Sequence, residues 1–104
     1  SFEVLLTKKN YQVKKLIINP KQKISLQKHL YRSENWIIVQ GTAKVTKNNK
    51  NFKLTKNQSI TIPNKTIHRI ENIDKNPLII IEVQSGVRLL ENDIIRLEDI
   101  YHRD

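Results

Sequence analysis

Ile24-Ser25-Leu26-Gln27-Lys28-His29-Leu30-Tyr31-Arg32-Ser33-Glu34-Asn35-Trp36 is the stretch on which the fold turns. It sets an amide, an imidazole and a carboxylate at Q-x-H-x4-E spacing. Side chains alternate along an extended chain, so Gln27 and His29 share one face of a strand. Glu34 joins them from the next strand if the chain turns back near Tyr31 to Ser33. A second imidazole, His68, follows in Ile62-Pro63-Asn64-Lys65-Thr66-Ile67-His68. These residues offer a mixed nitrogen and oxygen donor set suited to a divalent first-row metal with open positions. The plainer reading is a group of satisfied polar residues inside a β-barrel. Convergent polar groups from separate strands are costly to bury without a partner, which favours the metal.

Outward from this stretch, short β-rich segments recur between turn residues. They run Tyr11 to Ile18, Lys23 to Tyr31, Trp36 to Gln40, Thr42 to Thr46, Phe52 to Leu54, Ser59 to Ile62, Ile67 to Glu71 and Leu78 to Gln84. Regular spacing and many β-branched residues predict an all-β barrel or sandwich rather than alternating strands and helices. Gly41 suits a turn with positive φ, and Pro63 stops a strand where a ladder donor would be lost. Lys47 to Asn51 reads as a hairpin tip. The period of Glu91 to Tyr101 fits either a short helix or an extended arm.

The 104 residues predict a single domain, 1–104, with one core. No apolar run approaches the roughly 20 residues of a membrane span, and no secretory pattern opens the sequence. Cysteine is absent, which excludes disulfides and thiolate metal sites and is compatible with a reducing cytoplasm. Nineteen Lys and Arg stand against 10 Asp and Glu, a net charge of +9 that favours anionic partners. The cations are scattered, and no basic strand carries the aromatics that stack on bases, so nucleic acid is not the expected partner.

Several blocks resemble, in order, the type II phosphomannose isomerase domain of the cupin superfamily. In many bacteria this domain ends a bifunctional mannose-6-phosphate isomerase/mannose-1-phosphate guanylyltransferase. The blocks are Tyr11-Gln12-Val13-Lys14-Lys15; Ile24 to His29 with Arg32-Ser33-Glu34-Asn35-Trp36; Gly41-Thr42-Ala43; Ile62-Pro63 through His68 to Asn72; Ile81 to Gly86; and Glu91 to Tyr101. The resemblance implies a cupin double-stranded β-helix with a short C-terminal helix or arm. It also implies interconversion of mannose 6-phosphate and fructose 6-phosphate in the supply of GDP-mannose for polysaccharide. The matched metal positions are Gln27, His29, Glu34 and His68, with zinc first and manganese, cobalt, nickel or iron as alternatives. Expected partners are a sugar phosphate, a second copy of the chain and a guanylyltransferase domain or chain. No Gly-rich pyrophosphorylase motif is present. The Ser1 start, just past where the family carries Trp-Gly, suggests a piece of a longer protein.

Departures occur at Tyr31 and Asn35, where the family carries His, at Lys21 and Leu90, where it carries Gly, and at Leu30. Those at 31 and 35 count against a competent catalyst and favour a second reading, a non-catalytic cupin that binds sugar phosphate or assists assembly with a guanylyltransferase. Isomerisation needs a general base, for which Glu71, Glu82 and Tyr31 are the candidates. Arg32 could grip phosphate in a bidentate manner, but parity from His29 puts it on the opposite face, where an ion pair is as good a role. Lys14, Lys15, Arg69, Arg88 and Arg96 are weaker phosphate candidates, each more readily read as surface charge. Trp36 shares parity with Glu34 and either lines the cavity or fills the core.

Overall fold

The structure is a computed structural model and describes residues 1–86 and 93–97. Among these residues it is all-β, with ten strands: β1 Phe2–Thr7, β2 Tyr11–Ile18, β3 Gln27–Lys28, β4 Ser33–Gln40, β5 Ala43–Lys47, β6 Lys50–Leu54, β7 Ser59–Ile62, β8 His68–Asn72, β9 Leu78–Ser85 and β10 Ile95–Arg96. Two five-stranded sheets form, in the orders β1-β2-β9-β4-β7 and β10-β3-β8-β5-β6. Every pairing is antiparallel.

Register explains how the barrel is divided into an apolar end and a polar end. Strand β9 lies between β2 and β4, with Ile80 opposite both Leu16 and Ile38, and Glu82 opposite both Lys14 and Trp36. Side chains on one face recur every second residue. The inward set of β9 therefore runs Leu78, Ile80, Glu82, Gln84, all buried. It starts as hydrocarbon and finishes polar. Strand β4 does the same in reverse, from Glu34 through Trp36 to Ile38, and β2 runs from Lys14 to Ile18. The apolar ends meet in a core of Ile18, Trp36, Ile38, Ala43, Val45, Ile62, Ile70, Leu78 and Ile80. Asn72 closes that end: its amide donates to the carbonyls of Ile18 and Asn76 at 2.8 and 2.9 Å and accepts from Asp74 N–H at 2.8 Å.

Turn chemistry follows the sequence at two places. Gly41 has φ of 96°, and a Cβ there would crowd Pro77 O at 3.1 Å. Lys47 pairs with Lys50 across the expected hairpin tip. Two expectations change. An unpredicted strand, β1, pairs with β2 as an edge strand. The strand expected over Lys23 to Tyr31 contracts to two residues with Lys23 in an isolated bridge to Glu71, and the chain bends at Leu30 and Tyr31. The His29 carbonyl accepts from Lys65 N–H of a loop, so it leaves the ladder. Of the tail, Ile95–Arg96 form strand β10 within the described residues 93–97; the rest of Glu91 to Tyr101 lies outside the described residues.

Candidate metal centre

At the polar end, strand β4 supplies Glu34, β8 supplies His68, and His29 follows directly after β3. All three are buried, at 2–3% exposure. One donor atom from each falls within 4.8 Å of the others. His29 Nε2 lies 3.5 Å from Glu34 Oε2, and His68 Nε2 lies 3.6 Å from Glu34 Oε1. Donors bound at about 2.0–2.2 Å to one ion stand roughly 3–4 Å apart, so the spacing fits a metal.

Backbone carbonyls set the tautomers. His29 Nδ1 meets the carbonyl of Asp93, and His68 Nδ1 meets that of Thr66 at 2.9 Å. A carbonyl only accepts, so both rings carry hydrogen on Nδ1 and present the Nε2 lone pair to the cluster. Burial, helped by the Arg32 guanidinium and by His68, pushes His29 down to about 4, against the raising effect of its bond to Asp93. Burial also lowers His68. Both imidazoles are thus neutral at pH 7, as metal ligands must be.

The acidic side of the site is a pair. Burial raises Glu34, while Arg32 opposes the shift through its charge and hydrogen bond. Burial raises Glu82 as well, and the negative charge of Glu34 adds to it. Glu82 is held by Trp36 Nε1–H at 3.0 Å and by the Gln84 amide at 2.7 Å. Arg32 donates from Nε to Glu34 Oε2 at 3.1 Å and from Nη2 to His29 Nε2 at 3.3 Å, and its Nη2 forms an ion pair with Glu34 Oε2 at 3.1 Å. Around these groups lies a cavity of about 290 Å³, whose wall also carries Lys14, Arg69 and Arg96.

A family model described as mannose-6-phosphate isomerase C-terminal matches residues 1–99. The chain belongs to that family. It is 54% identical over 93 residues to the alginate biosynthesis protein AlgA of Pseudomonas aeruginosa, covering 89% of this chain and 19% of AlgA. It is 45% identical over 97 residues to a mannose-1-phosphate guanylyltransferase of Salmonella muenchen, covering 93% of this chain and 20% of that protein. The chain thus spans about a fifth of the length of these curated relatives. In fold it is similar to the cupin domain of Cnp3 from Schizosaccharomyces pombe. The TM-score is 0.80 at 17% identity, over 82% of this chain and 63% of that one. The fold is that of a cupin. Among the described residues no helix is long and apolar enough to cross a membrane.

Within this isomerase-family barrel the residues singled out from sequence fall into three groups. His29, Glu34 and His68 converge, and Gln27 lines the same cavity from its register position opposite His68. Lys14, Arg32, Arg69, Glu82 and Trp36 line it too. For Arg32 this corrects the parity argument, because the bend at Leu30 and Tyr31 resets the alternation counted from His29. Lys14 is not surface charge: it is 5% exposed, in line with Leu16 and Ile18 on β2. Glu71 and Tyr31 do not line the cavity. Glu71 sits one residue out of phase with His68, Ile70 and Asn72 on β8, and Tyr31 lies on the bend, 43% exposed. Asn35 faces outward and accepts from Thr61 Oγ1 at 2.6 Å. Arg88 and Leu90 lie outside the described residues. Asp93, whose carbonyl accepts from His29 Nδ1–H, was not singled out from the sequence. It reaches His29 through a main-chain oxygen, which no side-chain pattern displays.

Proposed function

We propose that this chain is a metal-dependent aldose–ketose isomerase domain acting on mannose 6-phosphate and fructose 6-phosphate, in the supply of GDP-mannose for polysaccharide. One observation carries the reading: a buried two-His, one-carboxylate cluster lines a cavity shared with a second carboxylate and several cations. The cluster would hold the metal through His29, Glu34 and His68, with Gln27 as a fourth donor; zinc leads, and manganese, cobalt, nickel or iron are alternatives. A bound divalent ion supplies positive charge against the negative charge that builds up on the reacting oxygens.

The remaining steps belong to the side chains. Glu82 is left outside the metal set and is the base: it takes the proton from C2 of the open-chain aldose and returns it to C1, while the hydroxyl proton moves from the C2 oxygen to the C1 oxygen. Its raised pKa brings it closer to the working range of a base at neutral pH. Trp36 and Gln84 fix the carboxylate on both oxygens. Lys14, Arg32, Arg69 and Arg96 are the groups that would hold the 6-phosphate and orient the sugar. The longer relatives, one of them named a guanylyltransferase, support a guanylyltransferase domain or chain as partner. The exposed apolar residues of edge strand β1, Phe2, Val4, Leu5 and Leu6, support a second copy as another. The reaction belongs in the cytoplasm, where these phosphates occur.

Coupled detection of fructose 6-phosphate tests this with zinc-, manganese- or cobalt-loaded protein. Turnover of mannose 6-phosphate that a chelator abolishes, with free mannose far slower, is expected. Full metal occupancy without turnover would transfer the chain to the binding-module reading, the one that Tyr31 and Asn35 favour from sequence.

A further inference from the structure

The two imidazoles of the cluster are held in different ways. His68 is oriented by Thr66, two residues away on its own chain segment. His29 is oriented by Asp93, 64 residues away. Asp93 is 6% exposed and engages three consecutive residues. Its carbonyl accepts from His29 Nδ1–H, and its two carboxylate oxygens accept the N–H groups of Leu30 and Tyr31 at 2.8 and 2.9 Å. From there the chain runs on antiparallel to β3, with Ile95 opposite Lys28, Arg96 opposite Gln27 and Leu97 N–H on the Leu26 carbonyl at 2.8 Å. Ile94 and Arg96 form part of the cavity wall.

We propose that Asp93 is a positioning residue of the metal centre, and that docking of segment 93–97 and presentation of His29 Nε2 are one linked event. The carboxylate does not touch the cluster. It clamps the bend at Leu30 and Tyr31, and this clamp keeps its own carbonyl on the ring. Without it, two partly buried N–H groups lose their acceptor, and the His29 ring loses the bond that fixes tautomer and plane. Partners of this kind typically govern metal affinity by 10- to 100-fold. The inference rests on the reading of His29, Glu34 and His68 as metal ligands.

Asp93→Ala and Asp93→Asn test it in the whole chain, with folding checked by thermal melting. Zinc affinity is measured against a chromophoric chelator, and ring ¹⁵N shifts of His29 and His68 are recorded in metal-free protein. Asp93→Ala is expected to bind zinc about 10- to 100-fold more weakly and to move the His29 shifts while those of His68 stay in place. Asp93→Asn retains one oxygen acceptor, falls between the two, and answers the question if Asp93→Ala does not fold. Unchanged His29 shifts in a folded variant, or equal movement of both rings, overturns the proposal, because the first denies positioning and the second is general loosening. Wild-type protein that takes up no zinc would sink the metal reading itself, and the metal-free His29 shifts would then still decide for or against Asp93.

Discussion

Replacing Arg32 by Met should tighten metal binding, although it removes a residue of the site. The guanidinium donates to Glu34 Oε2 at 3.1 Å and to His29 Nε2 at 3.3 Å, the same lone pairs a metal needs. Entry of a metal therefore requires Arg32 to give up these bonds. Hydrogen bonds to charged groups are worth about 1.5–3 kcal/mol net. At about 1.4 kcal/mol per decade, removing that competitor should lower the dissociation constant for zinc about 10- to 100-fold. One effect runs the other way. Arg32 holds the Glu34 carboxyl down, so the variant keeps its Glu34 proton to higher pH and that proton competes with the metal. Titration at pH 8 with a competing chelator minimises this effect. If Arg32 is then free to grip phosphate, the same variant should show a higher KM for mannose 6-phosphate despite its tighter metal. Equal or weaker zinc binding at pH 8 would refute the argument that Arg32 and the metal share acceptors.

The remaining predictions concern pH, the base and one glycine. His29 falls from 6.5 unfolded to about 4 folded, so its contribution is fully present above 6.5 and is lost as pH drops toward 4. At 1.36 kcal/mol per unit, metal-free protein should lose about 3 kcal/mol more over that window than His29→Asn, measured by urea unfolding; parallel curves would contradict it. Glu82→Gln should cut kcat by about 10²–10⁴-fold with metal content unchanged, as expected for removal of a general base, and retained activity would exclude Glu82 from that role. Gly86→Ala places a Cβ against the Tyr31 carbonyl and 3.2 Å from Arg32 Cα. Backbone has to move, so a loss of about 1–3 kcal/mol in unfolding free energy is expected, together with weaker metal binding through the displaced bend; a neutral effect on both would show that the bend yields freely.

Much of this was legible because β-branched runs and the turn residues between them are local signals. The runs Trp36 to Gln40 and Leu78 to Gln84 are visible in sequence, and so is the change from Leu78 and Ile80 to Glu82 and Gln84 that makes one end of the barrel polar. His29, Glu34 and His68 were found from donor types at metal-ligand spacing and from the family resemblance. Arg32 was misplaced because parity holds only while the chain stays extended, and it bends between His29 and Arg32. For Lys14 the surface-charge reading arose because a cation in a basic chain resembles solvated charge, whereas Lys14 is buried on β2 in register with Glu82, and its charge acts on Glu34. Strand β1 escaped notice because Phe2-Glu3-Val4-Leu5-Leu6 has no clean alternation, and the ladder is interrupted by a register shift between Val4 and Leu6. Asp93 acts at a separation of 64 residues, and such pairings exist only once the barrel has closed.

That last property bears on the route by which the protein folds. The donors come from β4, β8 and the residue after β3, and the clamp on His29 comes from near the C-terminal end of the described chain. No short peptide of this sequence assembles the cluster, so an ion cannot act as a nucleus as it does for a zinc finger. Long-range antiparallel pairing has to form first, and that is slow. A metal that binds only after closure stabilises the native state without stabilising the transition state. Its effect should therefore appear in the unfolding rate, with refolding no faster in zinc than in chelator.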